Sequence, residues 1–331
     1  MKIALCTTTI HVPHALKLMR KCGPDVGIFV ATDTKTPTEA YRVIEEVGGV
    51  VCNANDFKCS EAIGWNTLSR RNVAFLEALR RGADIIYSWD NDNLAVSTDH
   101  FDQIETIFSR LHDGIKVTGT DEWFDPGTLL IPATRHRGFP HNKPVSKHAF
   151  PVIGAEVGVV AGLIIGDSDM DASTRIEKAP DISQVHIFGS TGVVVDPKVW
   201  TVWNSQNSAV ARELMPAWFM APGCQRHDDI FAALVVQRVM RERGYHVHFG
   251  KPLCYQERNP HDLLADLMAE LPGMSNVQKM AELLDSIFLV GKNVVDDTRV
   301  IYNALAHADW YPKQGVVAAM SWLDDCQELR L

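Results

Sequence analysis

The sequence predicts an α/β protein with a Rossmann-like, mostly parallel sheet flanked by helices, followed by a helical C-terminal region. Two observations carry this prediction. Apolar runs of strand length alternate with helical patterns from the N-terminus to about Trp89, and a polar loop follows each apolar run. The last part of the chain carries helical patterns alone.

The first alternation gives the order of the elements. We expect strands at residues 2–10, at Val26–Ala31, near Val50 and at Asp84–Trp89, with helices to about Arg20, over Thr38–Val47 and over Leu68–Arg81. Ligands of parallel sheets bind beyond the carboxyl ends of the strands. The loops at Thr7–Thr9, Asp33–Lys35 and Asp90–Asn93 should therefore converge on one crevice.

The remaining elements are predicted in the same way. We expect a helix near Phe101–Leu111, strands at Lys116–Thr118, Val185–Phe188 and Gly192–Val195, and a helix over Asp228–Arg243, with a segment rich in Gly, Pro and His in the middle. Helices are predicted near 262–271, 277–289, 296–308 and 315–323. Residues 1–255 are thus expected to form the ligand-binding domain, and residues 256–331 a mostly helical extension packed on it.

Composition limits the class of protein. A chain of 331 residues that is 46% hydrophobic can bury a large core, and its net charge of -9 argues against a nucleic-acid backbone as partner. Seven cysteines without CxxC spacing favour free thiols in a reducing compartment. With neither a signal-peptide pattern nor a membrane-spanning run in the sequence, we expect a cytoplasmic protein without a membrane partner.

The most informative motif follows the strand Asp84–Trp89. Asp90 and Asp92 are two residues apart, so an extended segment places both carboxylates on one side. Mn²⁺ and Mg²⁺ prefer oxygen ligands and are often shared between carboxylates and substrate phosphates. The motif therefore indicates a metal-assisted nucleoside diphosphate site, although acidic residues are also common in ordinary turns.

Four stretches together resemble a known family. They are Ser69–Asn93 (SRRNVAFLEALRRGADIIYSWDNDN), RGFP at 137–140 with GLIIGDSDMDASTRI at 162–176, RHDDIFAALVVQRVM at 226–240, and QERNPHDLLADLMAEL at 256–271. In this order they resemble the STELLO-like glycosyltransferases, and the first three resemble more distantly the UDP-arabinopyranose mutases. The resemblance extends to about Leu289. It implies a GT-A fold, a nucleotide-sugar donor, commonly a UDP-sugar, and Mn²⁺ or Mg²⁺ at the acidic motif.

The resemblance and the chemistry of sugar transfer assign roles to the residues near this motif. Asp90 and Asp92 would hold the metal, while Asn91 replaces the middle acid of the family's triplet. Cationic and polar groups that could contact the pyrophosphate are Arg70, Arg71 and Asn72; those for the nucleoside are Thr7, Thr8, Asp33 and Lys35. A solvated helix face and plain turn chemistry are the alternative interpretations.

Further candidates lie later in the chain. Asp229 is the first candidate and Asp228 the second for the base that takes the acceptor's proton. The alternative is that the pair only caps a helix. His246 and His248 face one way on a strand; His248 is our candidate for a further metal ligand, with a polar edge strand as the alternative. We expect the sugar pocket to be shaped by Arg137 and by Asp167, Asp169 and Asp171.

Three other functions compete with the glycosyltransferase. A mutase is one, but an arginine that follows GFP in the plant proteins is replaced here by Pro144, preceded by Lys143. A nucleotide-sugar-binding protein without catalysis is another. A dehydrogenase is set aside because no GxGxxG follows the first strand. The acceptor of a transferase stays open: a small molecule, a nucleoside, a modified DNA base or a protein.

Overall fold

The structure is a computed structural model and describes residues 1–257 and 262–331. Its first part alternates strands and helices as predicted, except that a short helix, α3 (Cys59–Ile63), was not expected. The elements are β1 (Ile3–Thr9), α1 (Leu16–Cys22), β2 (Gly27–Thr32), α2 (Thr38–Glu46), β3 (Val50–Cys52), α3 (Cys59–Ile63), α4 (Arg71–Arg80) and β4 (Ile85–Trp89). The strands β3, β2, β1 and β4 are neighbours in that order and run parallel. Their carboxyl ends therefore lie at one edge of the sheet.

The middle of the chain adds more strands than the sequence predicts. Its elements are β5 (Asn93–Ala95), α5 (His100–Ser109), β6 (His112–Thr118), β7 (Trp123–Phe124), β8 (Leu130–Ile131), β9 (His148–Ala155), β10 (Val157–Gly166), α6 (Ala172–Glu177), β11 (Gln184–Val185), β12 (Gly192–Val195), β13 (Trp200–Thr201), β14 (Asn207–Ala211), α7 (Asp228–Arg241) and β15 (His246–Gln256). The apolar run that ends at Gly166 forms β10, a nearly completely buried strand. A continuous apolar run has neither the alternation of a half-buried strand nor the period of an amphipathic helix, so its hydrophobic pattern does not determine its secondary structure.

Three helices complete the chain: α8 (Leu263–Ser286), α9 (Val294–Leu305) and α10 (Lys313–Glu328). The two helices expected near 262–271 and 277–289 are one continuous helix, α8, with Pro272 inside it. Within the described ranges, no helix combines the length and the apolar character needed to cross a bilayer.

Over the residues that the structure describes, the central sheet has eleven strands in the order β3-β2-β1-β4-β14-β10-β15-β12-β6-β9, with β5 paired to β15. The strand β14 runs antiparallel to both β4 and β10, and so joins the parallel block to the second half of the sheet. The predicted α/β class, a large sheet flanked by helices with a helical C-terminal region, is confirmed.

The two faces of the sheet bury separate hydrophobic clusters. Along β4, Ile86 points to one cluster, whereas Ile85, Tyr87 and Trp89 point to the other, as the alternation of side chains along a strand requires. The C-terminal helices join the first cluster, for example through Trp322, whose indole N–H donates to Pro216 O at 3.0 Å. This part of the chain therefore shares its core with the sheet on the side covered by α4.

Candidate functional site

Two cavities meet at the carboxyl end of β4. The first, of about 300 Å³, is lined by Thr8, Thr9, Ile10, His11, Asp33, Lys35, Asn66, Thr67, Leu68, Arg71, Asp90, Asn91 and Asp92. The second, of about 330 Å³, is lined by Leu68, Asp90, Asp92, Arg137, Asp169, Ser205, Gln206, Gln225, Arg226, Asp228, Asp229 and Gln256. Asp90 and Asp92 belong to both linings, so the acidic pair lies where the two cavities adjoin.

The acidic pair is held by the turn that follows β4. The backbone N–H of Asp90 donates to Gln206 O at 3.1 Å, and that of Asn93 donates to Asp90 O at 3.0 Å. The Asp92 Oδ2 atom accepts from Gln256 Nε2 at 3.1 Å, while its Oδ1 is buried without a hydrogen-bond partner among the described residues. One carboxylate oxygen thus remains able to accept a ligand.

The pair suits a divalent cation only together with other ligands. Among the described residues, no group of three or more His, Cys, Asp or Glu side chains is arranged to hold a metal ion. Mg²⁺ and Mn²⁺, however, are commonly bound through one or two carboxylates, with phosphate oxygens and waters supplying the rest. The unpartnered oxygen of Asp92, with Asp90 beside it in the same cleft, fits that arrangement.

Asp90 is paired with Arg71, which begins α4. The Arg71 Nη2 atom donates to Asp90 Oδ1, and the Asp90 side chain is 25% exposed against 2% for that of Arg71. Burial raises the pKa of Asp90; the charge of Arg71 opposes this rise, and the charge of Asp92 adds to it. The cleft therefore presents an acidic pair with a buried guanidinium on one side.

Of the three predicted phosphate contacts on this segment, only Arg71 lines the first cavity. Arg70 is buried with its Nη1 donating to Ser60 Oγ at 2.8 Å, and its guanidinium lies 4.2 Å from the ring centre of Trp65. Asn72 binds both backbone polar groups of Met220, at 2.9 and 3.2 Å. Consecutive helical residues point in directions about 100° apart, which is why neighbours in sequence separate in space. Arg70 and Asn72 thus make contacts within the protein and line neither cavity.

The predicted nucleoside contacts fall mostly within the first cavity. Asp33, Lys35 and Thr8 line it, whereas Thr7 is fully buried and outside both linings because adjacent strand residues face opposite ways. The Asp33 carboxylate accepts the backbone N–H of Thr34 at 2.6 Å and that of Asn66 at 2.8 Å. The three loops expected to converge do meet in this cavity.

The centre of the second cavity is the Arg137 guanidinium. It donates to Asp229 at 3.0 and 3.1 Å and to Asp169 at 2.9 and 3.1 Å, and its Nη1 also donates to the carbonyl of Arg226. Asp229 further accepts the backbone N–H of Ser205 at 3.1 Å. Asp229 and Arg137 therefore form a buried, fully bonded pair.

The two consecutive acids of this cavity differ in their electrostatics. Burial followed by the negative charge of Asp229 raises the pKa of Asp228 to about 7. Burial acts to raise the pKa of Asp229 as well, but the charge and hydrogen bonds of Arg137 outweigh it and the pKa of Asp229 is lowered. Only one of the two carboxylates is thus paired with a cation, and only the other has a raised pKa. The roles expected of Asp229 and Asp228 as base stay predictions.

The acidic trio of the middle segment is divided among three roles. Asp169 lines the second cavity beside Arg137. Asp171 caps α6, accepting the Thr174 N–H at 2.8 Å, and Asp167 pairs with Arg175. Only Asp169 of the trio lines the cavity that was expected to hold the sugar.

The position of His248 does not support its predicted role beside the acidic pair. Its strand, β15, reaches the cleft only at its far end, Gln256, and His248 is fully buried against His112, with 5.6 Å between the ring centres. Burial and then His112 lower the pKa of His248 to about 3. His246 contacts the carbonyl of Glu156 at 3.2 Å and lines neither cavity.

Several cleft residues were not singled out from the sequence. They are Asn66, Ser205, Gln206, Gln225 and Gln256. Ser205 and Gln206 lie in the connection before β14, a strand that the sequence pattern did not predict, so nothing in the pattern placed them at the cleft. Residues 258–261, part of the fourth stretch that resembles the glycosyltransferases, lie outside the described residues.

The helix α8 supports the second cavity from behind. Glu270 binds Arg226 Nε at 2.9 Å through one oxygen and accepts the Ala172 N–H at 2.8 Å through the other. A side chain at Gly273 would place its Cβ 2.0 Å from the ring of His227, so α8 approaches the start of α7 very closely. The C-terminal region therefore packs against residues next to the second cavity.

The likenesses of this chain to known proteins are distant and structural. No protein-family model matches the chain, and no curated protein matches it. Among solved structures, a mannosyltransferase from Pyrobaculum calidifontis, in complex with GDP-Man and Mn²⁺, is similar to 99% of this chain and 87% of its own length. The sequence identity is 11% and the TM-score 0.38, too low to carry an argument about function.

Proposed function

We propose that this protein is a divalent-metal-dependent glycosyltransferase that moves a sugar from a nucleotide-sugar, a UDP-sugar in our proposal, to a hydroxyl acceptor. The observation that carries the proposal is that the acidic pair Asp90 and Asp92 lines both of two adjoining cavities. The stretches that resemble STELLO-like glycosyltransferases support it, since all four contribute residues to this cleft or to its walls.

The first cavity is assigned to the nucleoside diphosphate. It is lined by Asp33, Lys35, Thr8 and Asn66, which offer hydrogen-bonding groups for a nucleoside. Arg71 lies at the inner end beside the acidic pair and places a fixed positive charge near the phosphates. A divalent cation held by Asp90 and Asp92 would supply further positive charge to offset that of the departing diphosphate.

The second cavity is assigned to the sugar and the acceptor. The acceptor oxygen forms a bond to the anomeric carbon, the bond from that carbon to the diphosphate breaks, and the hydroxyl proton passes to Asp228. A raised pKa of about 7 lets Asp228 receive that proton near neutral pH. Asp229 and Arg137 are positioning residues in this scheme, because their charges are already paired with each other.

The alternatives are less well supported by the contacts. Neither Lys143 nor Pro144, the candidates at the mutase's arginine position, lines either cavity. Asn91, which departs from the family's acidic triplet, donates from Nδ2 to Thr9 Oγ1 at 3.0 Å. Its amide thus serves the shape of the turn, and the two outer carboxylates remain for a metal.

The experiment that tests the function is a donor screen followed by product analysis. UDP-sugars and GDP-sugars are added to the purified protein with Mn²⁺ or with EDTA, and the unfolding temperature is measured. We expect a Mn²⁺-dependent rise with at least one donor, and release of nucleoside diphosphate by mass spectrometry when acceptors are added. Binding without release would favour a nucleotide-sugar-binding protein, and ring contraction of the donor's sugar without an acceptor would favour the mutase.

A further inference from the structure

We propose that Arg71 is a fixed counter-charge to Asp90, which makes the metal site weak in the free protein and couples metal binding to binding of the nucleoside diphosphate. This inference rests on the proposed function and adds a binding order to it. The observation behind it is that one of the two candidate metal ligands already has a cationic partner within the protein.

Arg71 is anchored so that it cannot leave Asp90 at low cost. Its Nη1 donates to Ser88 Oγ at 3.0 Å, to Ser205 O at 2.8 Å and to Ser205 Oγ at 3.1 Å, while its Nη2 contacts Asp90. Swinging the guanidinium out of this buried site would break these three bonds to the serines and leave the Asp90 carboxylate without its cationic partner. These contacts therefore hold Arg71 beside Asp90.

This fixed charge reduces what the acidic pair can offer a cation. Asp90 and Asp92 carry two negative charges, and Arg71 cancels one of them. One oxygen of each carboxylate is also engaged, Asp90 Oδ1 by Arg71 and Asp92 Oδ2 by Gln256. A hard divalent cation, which seeks about six oxygen ligands, would find little to hold it here alone.

The same residue favours the diphosphate. Arg71 lines the first cavity, so phosphate groups placed there next to the acidic pair would gain a cationic neighbour that is already oriented. The diphosphate in turn brings the oxygen ligands and the negative charge that the metal site lacks. Because coupling between two ligands is reciprocal, each should raise the affinity of the other.

The variant Arg71→Met tests this assignment because it predicts changes of opposite sign. Binding of Mn²⁺ alone, measured by electron paramagnetic resonance, should become about tenfold tighter, since one repulsive unit charge is gone. Binding of UDP or GDP in EDTA, measured by calorimetry, should become about tenfold weaker. A purely structural role for Arg71 would weaken both.

Arg81→Met is the matched control. Arg81 follows the same helix, pairs with Glu77 through a side chain that is 54% exposed, and lines neither cavity. We expect both affinities to stay as in the unchanged protein. Circular dichroism confirms that each variant is folded before it is titrated.

The unchanged protein gives a second measurement that does not depend on the folding of Arg71→Met. Mn²⁺ alone should bind at least tenfold more weakly than Mn²⁺ with UDP or GDP, after correction for complexes in solution. Mn²⁺ that binds equally tightly without nucleotide, or more weakly to Arg71→Met, overturns this inference and leaves the proposed function standing. Failure of both nucleotides to bind at all, with or without Mn²⁺, overturns the two together.

Discussion

The carboxylate of Asp229 accepts two hydrogen bonds, of 3.0 and 3.1 Å, from the guanidinium of Arg137, and both side chains are almost entirely buried. Its neighbour Asp228 forms no ion pair with the described residues, and the charges of Arg137 and Arg71 oppose the rise in its pKa without cancelling it. This difference separates two residues that look equivalent in sequence. Asp229 belongs to the framework of the cleft, and Asp228 is left with the capacity to exchange a proton.

Asp229→Asn should therefore act mainly on stability. The substitution leaves Arg137 with one buried carboxylate partner, Asp169, in place of two, and breaking a buried pair costs about 3–5 kcal/mol. Urea denaturation measures the loss of free energy of unfolding. An unchanged unfolding midpoint would show that the ion pair does not hold this part of the cleft.

Asp228→Asn should act on the rate of transfer. In the unchanged protein, Asp228 Oδ1 accepts the backbone N–H of Asp229 at 2.9 Å. The amide of the variant has the same shape and can accept this bond, but it cannot take up the acceptor's proton. We expect kcat to fall by about 10²–10⁴-fold while the donor affinity stays within about twofold of the unchanged protein. A transfer rate close to that of the unchanged protein would exclude Asp228 as the base and favour Asp229 in that role.

The raised pKa of Asp228 also predicts a dependence of stability on pH. Burial, then the charge of Asp229, raises this pKa from the ordinary 3.8 to about 7, so between these values the folded protein binds a proton that the unfolded chain releases. The Asp228 contribution is therefore favourable below about pH 4 and is lost as the pH rises through about 7.

The comparison of the unchanged protein with Asp228→Asn isolates this contribution from those of other groups. Because the amide does not titrate, the variant should gain stability relative to the unchanged protein when urea denaturation is moved from about pH 5 to about pH 8. An identical difference in free energy of unfolding at the two pH values would show that Asp228 is not buried in the state that unfolds.

Arg70 offers a contrast with Arg71, its neighbour in sequence. Arg70→Met removes the bond to Ser60 and the stacking on Trp65, and we expect a loss of about 1–3 kcal/mol in free energy of unfolding. Because Arg70 does not line the first cavity, the affinity of the folded variant for UDP should be unchanged. If the folded Arg70→Met variant binds UDP more weakly than the unchanged protein, Arg70 does contribute to the phosphate site.

The parts of the fold that the sequence predicts are those with a simple repeating pattern. In the first half of the chain, each strand and helix has its own apolar period and a polar loop, and β1, β2 and β4 lie within two residues of the predicted bounds. Pairs such as β10 with β15 and β14 with β4 join residues far apart in sequence. No local hydrophobic period determines those pairings, which is why the sequence predicts only some of the strands in the second half of the sheet.

The site shows the same division. Asp90, Asp92, Asp33 and Lys35 were predicted to share a crevice because they follow parallel strands, and the first cavity does bring them together. The direction in which Arg70, Arg71 and Asn72 point depends on the exact start of α4. That helix begins at Arg71, after a 3₁₀ turn at 68–70. A sequence pattern places a helix boundary only to within a few residues, so it does not determine which of these side chains faces the cavity.

The most direct test of the central claim is the affinity for UDP, measured by calorimetry in Mn²⁺ and in EDTA, with the unchanged protein and with Asp92→Asn. The variant keeps an amide that Gln256 can contact but loses the carboxylate charge. We expect Mn²⁺ to tighten UDP binding at least tenfold in the unchanged protein and to have no effect in the variant. Equal binding of UDP to both proteins in Mn²⁺ would contradict a metal held by Asp90 and Asp92.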